Sequence, residues 1–181
     1  MTGDFIKKYI DQTTLAMAWI NANKVAQAAN ILKECSGTVW VCGNGGSASL
    51  AEHFAQDLAK QAGVRAIALT NLAYVTALAN DVCYRRIFSD QIYSFCKLGD
   101  ILVLISGSGN SENILDAACA GHDKGTYVIG ITGFSGGKLR QNKHLDLEIN
   151  VPANHMGRSE DGHLCVCHAI VYGLMEDITN E

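Results

Sequence analysis

No uninterrupted apolar run in this sequence approaches the ~20 residues that a helix needs to cross a bilayer. The first residues, MTGDFIKKYIDQ, also lack the apolar core and small-residue cleavage site of a secretory signal. The seven cysteines are odd in number and include no CxxC pair, so we expect buried thiols and not a disulfide framework. These absences predict a cytoplasmic protein with no membrane partner.

Charged residues are few, at 18% of the sequence, and they form no basic patch. Nucleic acids attract basic patches, and the net charge here is −4, so we expect no nucleic-acid partner. Any anionic ligand must then be held locally, by loops and helix ends. The apolar fraction of 48% indicates a globular chain, and 181 residues suffice for a single domain, 1–181, that buries about 70% of its unfolded surface.

The chain is organised around one strand, one glycine loop and one helix. β-Branched and aromatic residues run from Thr38 to Val41, the loop GNGGS follows at 43–47, and helix-compatible residues begin at Leu50. Backbone N–H groups and the positive end of the helix dipole would face a ligand there, and an anion such as phosphate fits. The stretch lacks the spacing of a GxGxxG motif and the lysine of a P-loop, so a ligand-free turn is the alternative.

Further strands and helices alternate along the chain. The segment Ile101–Ile105 is apolar throughout, as expected for a central strand of a parallel sheet. The alternation predicts an α/β fold with a central parallel sheet, whose ligands bind beyond the carboxyl ends of the strands. The other predicted elements are strands at Arg65–Leu69, Tyr127–Ile131 and Leu145–Ile149, and helices at Phe5–Ile20, Val25–Leu32, Tyr74–Ala79, Arg85–Phe95, Glu112–Gly121 and Ser159–Asp177.

A serine-rich loop follows the central strand. Ser106, Ser108 and Ser111 precede a helix, and with Ser47 they could surround a phosphate without any lysine. The alternative is that Ser108, Asn110 or Ser111 only caps the helix. Two such loops in one sheet favour phosphate binding.

Two further pairs of residues carry acid–base or metal-binding groups. His53 and Asp57 lie four residues apart on a helix, so their side chains share one face, and an exposed ion pair is the alternative. Glu160 and His168 lie eight residues apart, about 12 Å along a straight helix, so one ion cannot contact both. Either the helix bends at its start, where Gly162 would help, or a second subunit supplies one of the two.

The first predicted helix presents a narrow apolar seam in alternating steps of four and three residues. Such a seam packs either against a partner subunit or against the chain's own core. Three histidines outside these motifs, His122, His144 and His155, are expected at the surface. The seam consists of Ile6, Ile10, Thr13, Met17 and Ile20.

Four motifs together resemble one protein family. They are CGNGGSAS with HFAQDL at 42–58, ISGSGNSENI at 105–114, ITG at 131–133 with the glycines at 136–137, and RSEDGHLCVCH at 158–168. In this order and spacing they are similar to the phosphoheptose isomerases, which are sugar isomerase (SIS) domain proteins, over nearly the whole chain. The resemblance implies a flavodoxin-like three-layer sandwich and a homotetramer whose N-terminal helices, about residues 1–36, pack between subunits. It also implies conversion of sedoheptulose 7-phosphate to D-glycero-D-manno-heptose 7-phosphate in bacterial heptose biosynthesis, with one zinc ion at an intersubunit site.

The same resemblance implies roles for individual residues. Three positions depart from the family pattern, because Asp57 replaces a glutamate, Glu160 a glutamine and Gly157 an aspartate. Both substituted ligands remain oxygen donors, which suit zinc beside two imidazoles. The residues implied to bind substrate or phosphate are Asn44, Gly45, Gly46, Ser47, Asp81, Ser106, Ser108, Ser111 and Glu160, and the implied metal ligands are His53, Asp57, Glu160 and His168.

The implied reaction makes definite chemical demands on the site. An aldose–ketose isomerisation moves a proton between C1 and C2 through an enediol, so it needs a base, an acid and a group that stabilises negative charge. Asp57 is the predicted base, His168 the acid and the metal the electrophile. Two alternatives stay open: isomerisation of another sugar phosphate, and a related tetrameric adaptor that binds a bacterial replication initiator without catalysis. Two histidines with Asp57 favour the enzyme, because an adaptor has no use for that set.

Overall fold

The computed structural model describes the backbone of residues 3–179 and the side chains of residues 3–176. Five strands form one sheet: β1 (Val39–Gly43), β2 (Ala66–Ala68), β3 (Ile101–Ser106), β4 (Tyr127–Thr132) and β5 (Leu147–Asn150). Their order is β2-β1-β3-β4-β5, and every neighbouring pair is parallel. The predicted α/β fold with a central parallel sheet is confirmed.

Helices cover both faces of this sheet, which makes three layers. None of the helices in the described part of the chain is long and apolar enough to cross a membrane. The helices are α1 (Gly3–Ala18), α2 (Ala22–Lys33), α3 (Gly46–Lys60), α4 (Leu72–Asp81), α5 (Ser89–Phe95), α6 (Glu112–Asp123), α7 (Gly137–Arg140) and α8 (Met156–Thr179), and a 3-10 turn covers Tyr84–Arg86.

The sheet separates two apolar cores. On one face, the buried side chains of Val103, Leu58 and Ile170 belong to a core shared by the sheet, α2, α3 and α8. On the other face, Leu104 and Ile114 belong to a core shared with α5 and α6. All six residues of β3 are buried, as expected for a central strand with helices on both sides.

The two N-terminal helices lie on the α8 side of the sheet. The N-cap residue of α2, Asn21, accepts a hydrogen bond from the backbone of Lys24, which satisfies a donor in the first turn. Within the predicted seam of α1, the members at 13, 17 and 20 are half-buried against the chain. Ile6 and Ile10 are exposed in the single chain. The seam therefore packs partly on the chain's own core.

Several element boundaries differ from the sequence prediction. α3 begins at Gly46 and not near Leu50, because Gly45 adopts a φ of +54° and turns the chain directly into the helix. The segment predicted as one helix from Arg85 to Phe95 is a 3-10 turn followed by α5. Ile87, which lies between the two, is buried.

Candidate functional site

A cleft of about 250 Å³ lies at the carboxyl ends of β1 and β3. Ligands of open parallel sheets bind at this edge. The β1–α3 loop forms one wall and the β3–α6 loop another, and none of the described lining residues is a lysine or an arginine. Eight of the nine residues predicted to contact substrate line this phosphate cleft: Asn44, Gly45, Gly46, Ser47, Ser106, Ser108, Ser111 and Glu160.

Glycines shape the β1–α3 loop. A Cβ atom on Gly43 would lie 2.7 Å from the Cβ atom of Ser47, so only glycine allows this close approach. A Cβ atom on Gly46 would lie 2.7 Å from Oε1 of Glu160, which places that carboxylate beside the first turn of α3. Ser47 and Glu160 therefore meet at a helix start, where backbone N–H groups and the helix dipole favour an anion.

The β3–α6 loop is held in shape by its own serines. The N–H of Gly109 donates to Oγ of Ser106, and the N–H of Asn110 donates to Oγ of Ser108, each at 3.2 Å. A hydroxyl that accepts a hydrogen bond keeps its own hydrogen for a ligand. Ser111 occupies the N-cap position of α6, but its side chain makes no capping hydrogen bond. Helix capping therefore does not account for the Ser111 hydroxyl, which lines the phosphate cleft.

Two histidines and one aspartate form a compact group beside this cleft. Nε2 of His53 lies 3.0 Å from Oδ2 of Asp57, and Nε2 of His168 lies 3.8 Å from the same oxygen. The two Nε2 atoms are 3.4 Å apart. α3 supplies the first two residues one turn apart, and α8 supplies the third. The predicted pairing of His53 with Asp57 is thus part of a three-residue group and not an isolated surface ion pair.

The carboxylate of Asp57 is oriented by a residue that the sequence analysis did not single out. Asp57 is only 5% exposed. Nε2 of Gln61, the C-cap residue of α3, donates to Oδ1 of Asp57 at 2.8 Å. Oδ2 is left to face the two imidazoles. The four-residue spacing between Asp57 and Gln61 is the sequence feature from which this contact could have been predicted.

The donor set of this group fits a metal ion. One ligand atom from each of His53, Asp57 and His168 lies within 4.8 Å of the other two. Two imidazole nitrogens and one carboxylate oxygen are a common set of three protein ligands for catalytic zinc. Among the described residues this is the only group of three or more such side chains.

A second cleft joins the histidine group to the phosphate cleft. It has a volume of about 270 Å³ and is lined by His53 together with Gly46, Ser47 and Glu160, the last three of which also line the phosphate cleft. A ligand that spans the two clefts can therefore contact the serine loops and His53 at once.

Glu160, the fourth predicted metal ligand, lies outside the group in the single chain. α8 is helical from Met156 onward, so Gly162 does not interrupt the helix. Glu160 instead lies beside Gly46. The second alternative, in which another subunit supplies one of the two residues, stays a prediction.

Asp81 is the one predicted substrate residue that does not line the phosphate cleft. It is exposed at the end of α4, and its Oδ1 accepts a hydrogen bond from Asn80. Gly157, where the family pattern has an aspartate, lies under Tyr9, whose hydroxyl would be 2.9 Å from a Cβ atom at that position. A larger side chain at 157 would require Tyr9 to move.

The remaining histidines differ in exposure. His122 and His155 are exposed as predicted, and His144 is half-buried with its ring centroid 4.4 Å from that of His122. His163, on α8, is fully buried. Burial lowers the pKa of His163 to about 4. This imidazole is therefore neutral near pH 7.

The side chain of Asn44 is held by two residues that the sequence analysis also missed. Its amide pairs reciprocally with the amide of Asn113, with N···O distances of 2.9 and 2.8 Å. The hydroxyl of Tyr84 donates to Oδ1 of Asn44 at 2.8 Å. These partners lie 69 and 40 residues away in sequence, so no local pattern pointed to them.

A larger cavity, of about 510 Å³, lies elsewhere, between α1, α2 and α8. It is lined mainly by small and apolar side chains, such as Met17, Val25 and Ala169, and by none of the predicted site residues. We therefore assign the chemistry to the two smaller clefts and not to this groove.

Comparisons with known proteins show the family of the chain. The family model described as SIS domain matches residues 7–133. A protein named phosphoheptose isomerase from Neisseria meningitidis serogroup C is 38% identical over 154 residues, which are 80% of this chain and 78% of the relative. A phosphoheptose isomerase from Dechloromonas aromatica is 37% identical over 173 residues, 90% of this chain and 88% of the relative.

Solved structures of phosphoheptose isomerases are also similar to this chain. The phosphoheptose isomerase GmhA from Neisseria gonorrhoeae superposes with a TM-score of 0.87 at 33% identity, over 93% of this chain and 97% of that one. A phosphoheptose isomerase from Francisella tularensis gives a TM-score of 0.90 at 34% identity, over 97% and 100% of the two chains.

Proposed function

The chain belongs to the phosphoheptose isomerase family of SIS domain proteins, and we propose that it converts sedoheptulose 7-phosphate to D-glycero-D-manno-heptose 7-phosphate in bacterial heptose biosynthesis. The observation that carries the proposal is the direct connection between two sites. The cleft of the serine loops and the cleft beside His53 share Gly46 and Ser47. A sugar phosphate can therefore place its phosphate at one end and its carbonyl carbons at the other.

The phosphate would be bound by hydroxyls and helix starts. Ser47 lies at the first turn of α3 and Ser111 at the N-cap of α6, so the positive ends of two helix dipoles meet at the cleft. Because no lysine or arginine lines the cleft in the described chain, these groups supply the recognition of the anion.

Proton transfer is assigned to Asp57 and His168. The Asp57 carboxylate takes a proton from C1 of the ketose while His168 protonates the oxygen on C2, which gives the enediol. Return of the proton from Asp57 to C2, with transfer of the O1 proton to His168, completes the aldose. Gln61 keeps Oδ1 of Asp57 occupied, so Oδ2, which lies beside the two imidazoles, is the oxygen that would carry the proton.

We assign one zinc ion to His53, Asp57 and His168, because their donor atoms match a catalytic zinc set. Nε2 of His168 would hold the ion, so the N–H at Nδ1 of that ring would be the group that exchanges the proton. When bound, the ion would polarise the substrate carbonyl as a Lewis acid. Glu160 is the proposed fourth ligand, supplied by a neighbouring subunit.

We further propose a cytoplasmic homotetramer. Phe5 on α1 and Trp19 directly after it are large apolar side chains exposed at 62% and 71% of their surface, beside the apolar groove between α1, α2 and α8. Burial of such side chains in a subunit interface is favourable.

All seven cysteines are free thiols, which suits a reducing compartment such as the cytoplasm.

Turnover in deuterated water tests the reaction. The purified protein is incubated with sedoheptulose 7-phosphate, and aldose formation is followed by NMR. We expect the aldose to carry deuterium at C2, because the enediol is protonated there. If no C5 to C7 ketose phosphate is turned over, the proposed isomerase activity is refuted. The alternative of a non-catalytic adaptor would then be favoured.

A further inference from the structure

Asn44 lies where the phosphate cleft meets a smaller cavity of about 120 Å³ that Tyr84 also lines. The hydrogen bonds of its side-chain amide define what it can offer to a ligand. Oδ1 accepts from both Asn113 and Tyr84, so its two lone pairs are used. Nδ2 donates one hydrogen to Asn113. One N–H of Asn44 therefore remains, and Asn44 can act toward a ligand only as a donor.

The two partners of Asn44 are themselves fixed. Asn113 is 3% exposed and lies in the first turn of α6, two residues after Ser111. Tyr84 begins the 3-10 turn, and the next residue, Arg85, binds the carboxylate of Asp116 on α6 through two hydrogen bonds of 2.6 and 2.9 Å. A bidentate pair of this kind fixes geometry as well as distance. The β1–α3 loop, the 3-10 turn and the start of α6 are thus tied together at Asn44.

We propose that Asn113 and Tyr84 are positioning residues that hold Asn44 as an obligate hydrogen-bond donor to an acceptor oxygen of the sugar phosphate. This inference rests on the proposed function, since it concerns recognition of the same substrate. A hydrogen-bond donor is important in this cleft, because the only charged residue that lines it in the described chain is the acidic Glu160. A rotated Asn44 amide would present its oxygen to the substrate oxygens and repel them.

A double-mutant cycle tests the positioning role. The variants are Asn44→Ala, Asn113→Ala and both together, and the readouts are the calorimetric Kd of the equilibrated sedoheptulose 7-phosphate mixture and the KM and kcat of turnover. We expect Asn44→Ala to weaken binding about tenfold, and Asn113→Ala about fivefold to tenfold, mainly in KM. The double variant should bind about as weakly as Asn44→Ala alone, because Asn113 acts through Asn44.

Tyr84→Phe provides a variant that keeps the ring and the fold. It should raise Kd a few-fold at an unchanged melting temperature. The matched control is Tyr93→Phe, which removes a hydroxyl that donates to Asp123 far from the cleft, at 2.8 Å, and should leave Kd unchanged.

The outcomes separate the positioning role from the function itself. In one outcome the wild type binds the sugar phosphate, and the two single effects multiply, so that Kd of the double variant rises roughly fifty- to hundredfold. The positioning role is then refuted, and the proposed isomerase function is unaffected. If Asn113→Ala lowers the melting temperature but leaves Kd unchanged, its role is structural and the proposal is overturned. A wild type that binds no sugar phosphate would overturn both.

Discussion

Nε2 of His53 and Nε2 of His168 lie 3.4 Å apart, although the two residues are 115 positions apart in the sequence. Their meeting requires α3 and α8 to pack on the same face of the sheet, as the shared apolar core makes them do. With the buried Asp57 carboxylate beside them, the two nitrogens are suited to hold one ion between them.

The metal content of the purified protein tests this arrangement. We expect one zinc ion per chain in the wild type and less than a tenth of that in His53→Ala, because the group would lose one of its three ligands in the chain. His122→Ala is the control, since His122 is exposed and lies outside the group. Equal zinc content in all three proteins would contradict the site.

Hydroxyl deletions test the phosphate loops. Ser108→Ala and Ser111→Ala should each raise KM for the phosphorylated sugar by a few-fold to tenfold, as expected for loss of a charge-assisted hydrogen bond of about 1.5 kcal/mol. Ser111→Ala should leave the melting temperature nearly unchanged, because its side chain makes no capping bond.

Ser94→Ala is the matched control for these variants, because it removes an exposed hydroxyl that donates to the backbone of Asp90 on α5. Its KM should equal that of the wild type. Unchanged kinetics in the Ser108→Ala/Ser111→Ala double variant would leave the two serines with a role only in the loop's structure.

The sequence predicts the parts of this site that depend on local pattern. The strands, the glycine loop and the serine loop follow from periodicity and turn chemistry, and His53 with Asp57 follows from helical spacing. The contacts of Asn44 with Asn113 and Tyr84 could not be predicted in this way, because they depend on how distant elements pack. The position of Glu160 could not be predicted either, because its distance from the histidine group depends on the shape of α8.

Subunit assembly can be tested through Trp19, which directly follows α1. We expect the wild type to sediment as a tetramer, and Trp19→Asp to yield smaller species, because a charge on an interface side chain must be desolvated. Activity should fall with the tetramer, since Glu160 is proposed to act in a neighbouring subunit. Leu98→Asp is the control, because this leucine is even more exposed than Trp19 and lies in the loop before β3. An active monomer would contradict the intersubunit site.

The buried imidazole of His163 predicts how stability depends on pH. Burial lowers its folded pKa to about 4, whereas an unfolded histidine titrates near 6.5. Between pH 4 and 6.5 the unfolded chain therefore binds a proton that the folded chain does not, so the free energy of unfolding should rise with pH across this window and level off above it. This difference in pKa corresponds to roughly 3 kcal/mol of stability between the two ends of the window.

Urea unfolding of wild type and His163→Leu at a series of pH values isolates this contribution. Leucine has a similar apolar volume and no proton to bind, so the variant should lose less stability than the wild type as the pH falls from 6.5 to 4. Other titrating groups contribute equally to both proteins and cancel in the difference. Replacing the exposed His122 by leucine should leave the wild-type slope unchanged. Parallel stability curves for wild type and His163→Leu would show that His163 accepts a proton in the folded state as readily as in the unfolded chain.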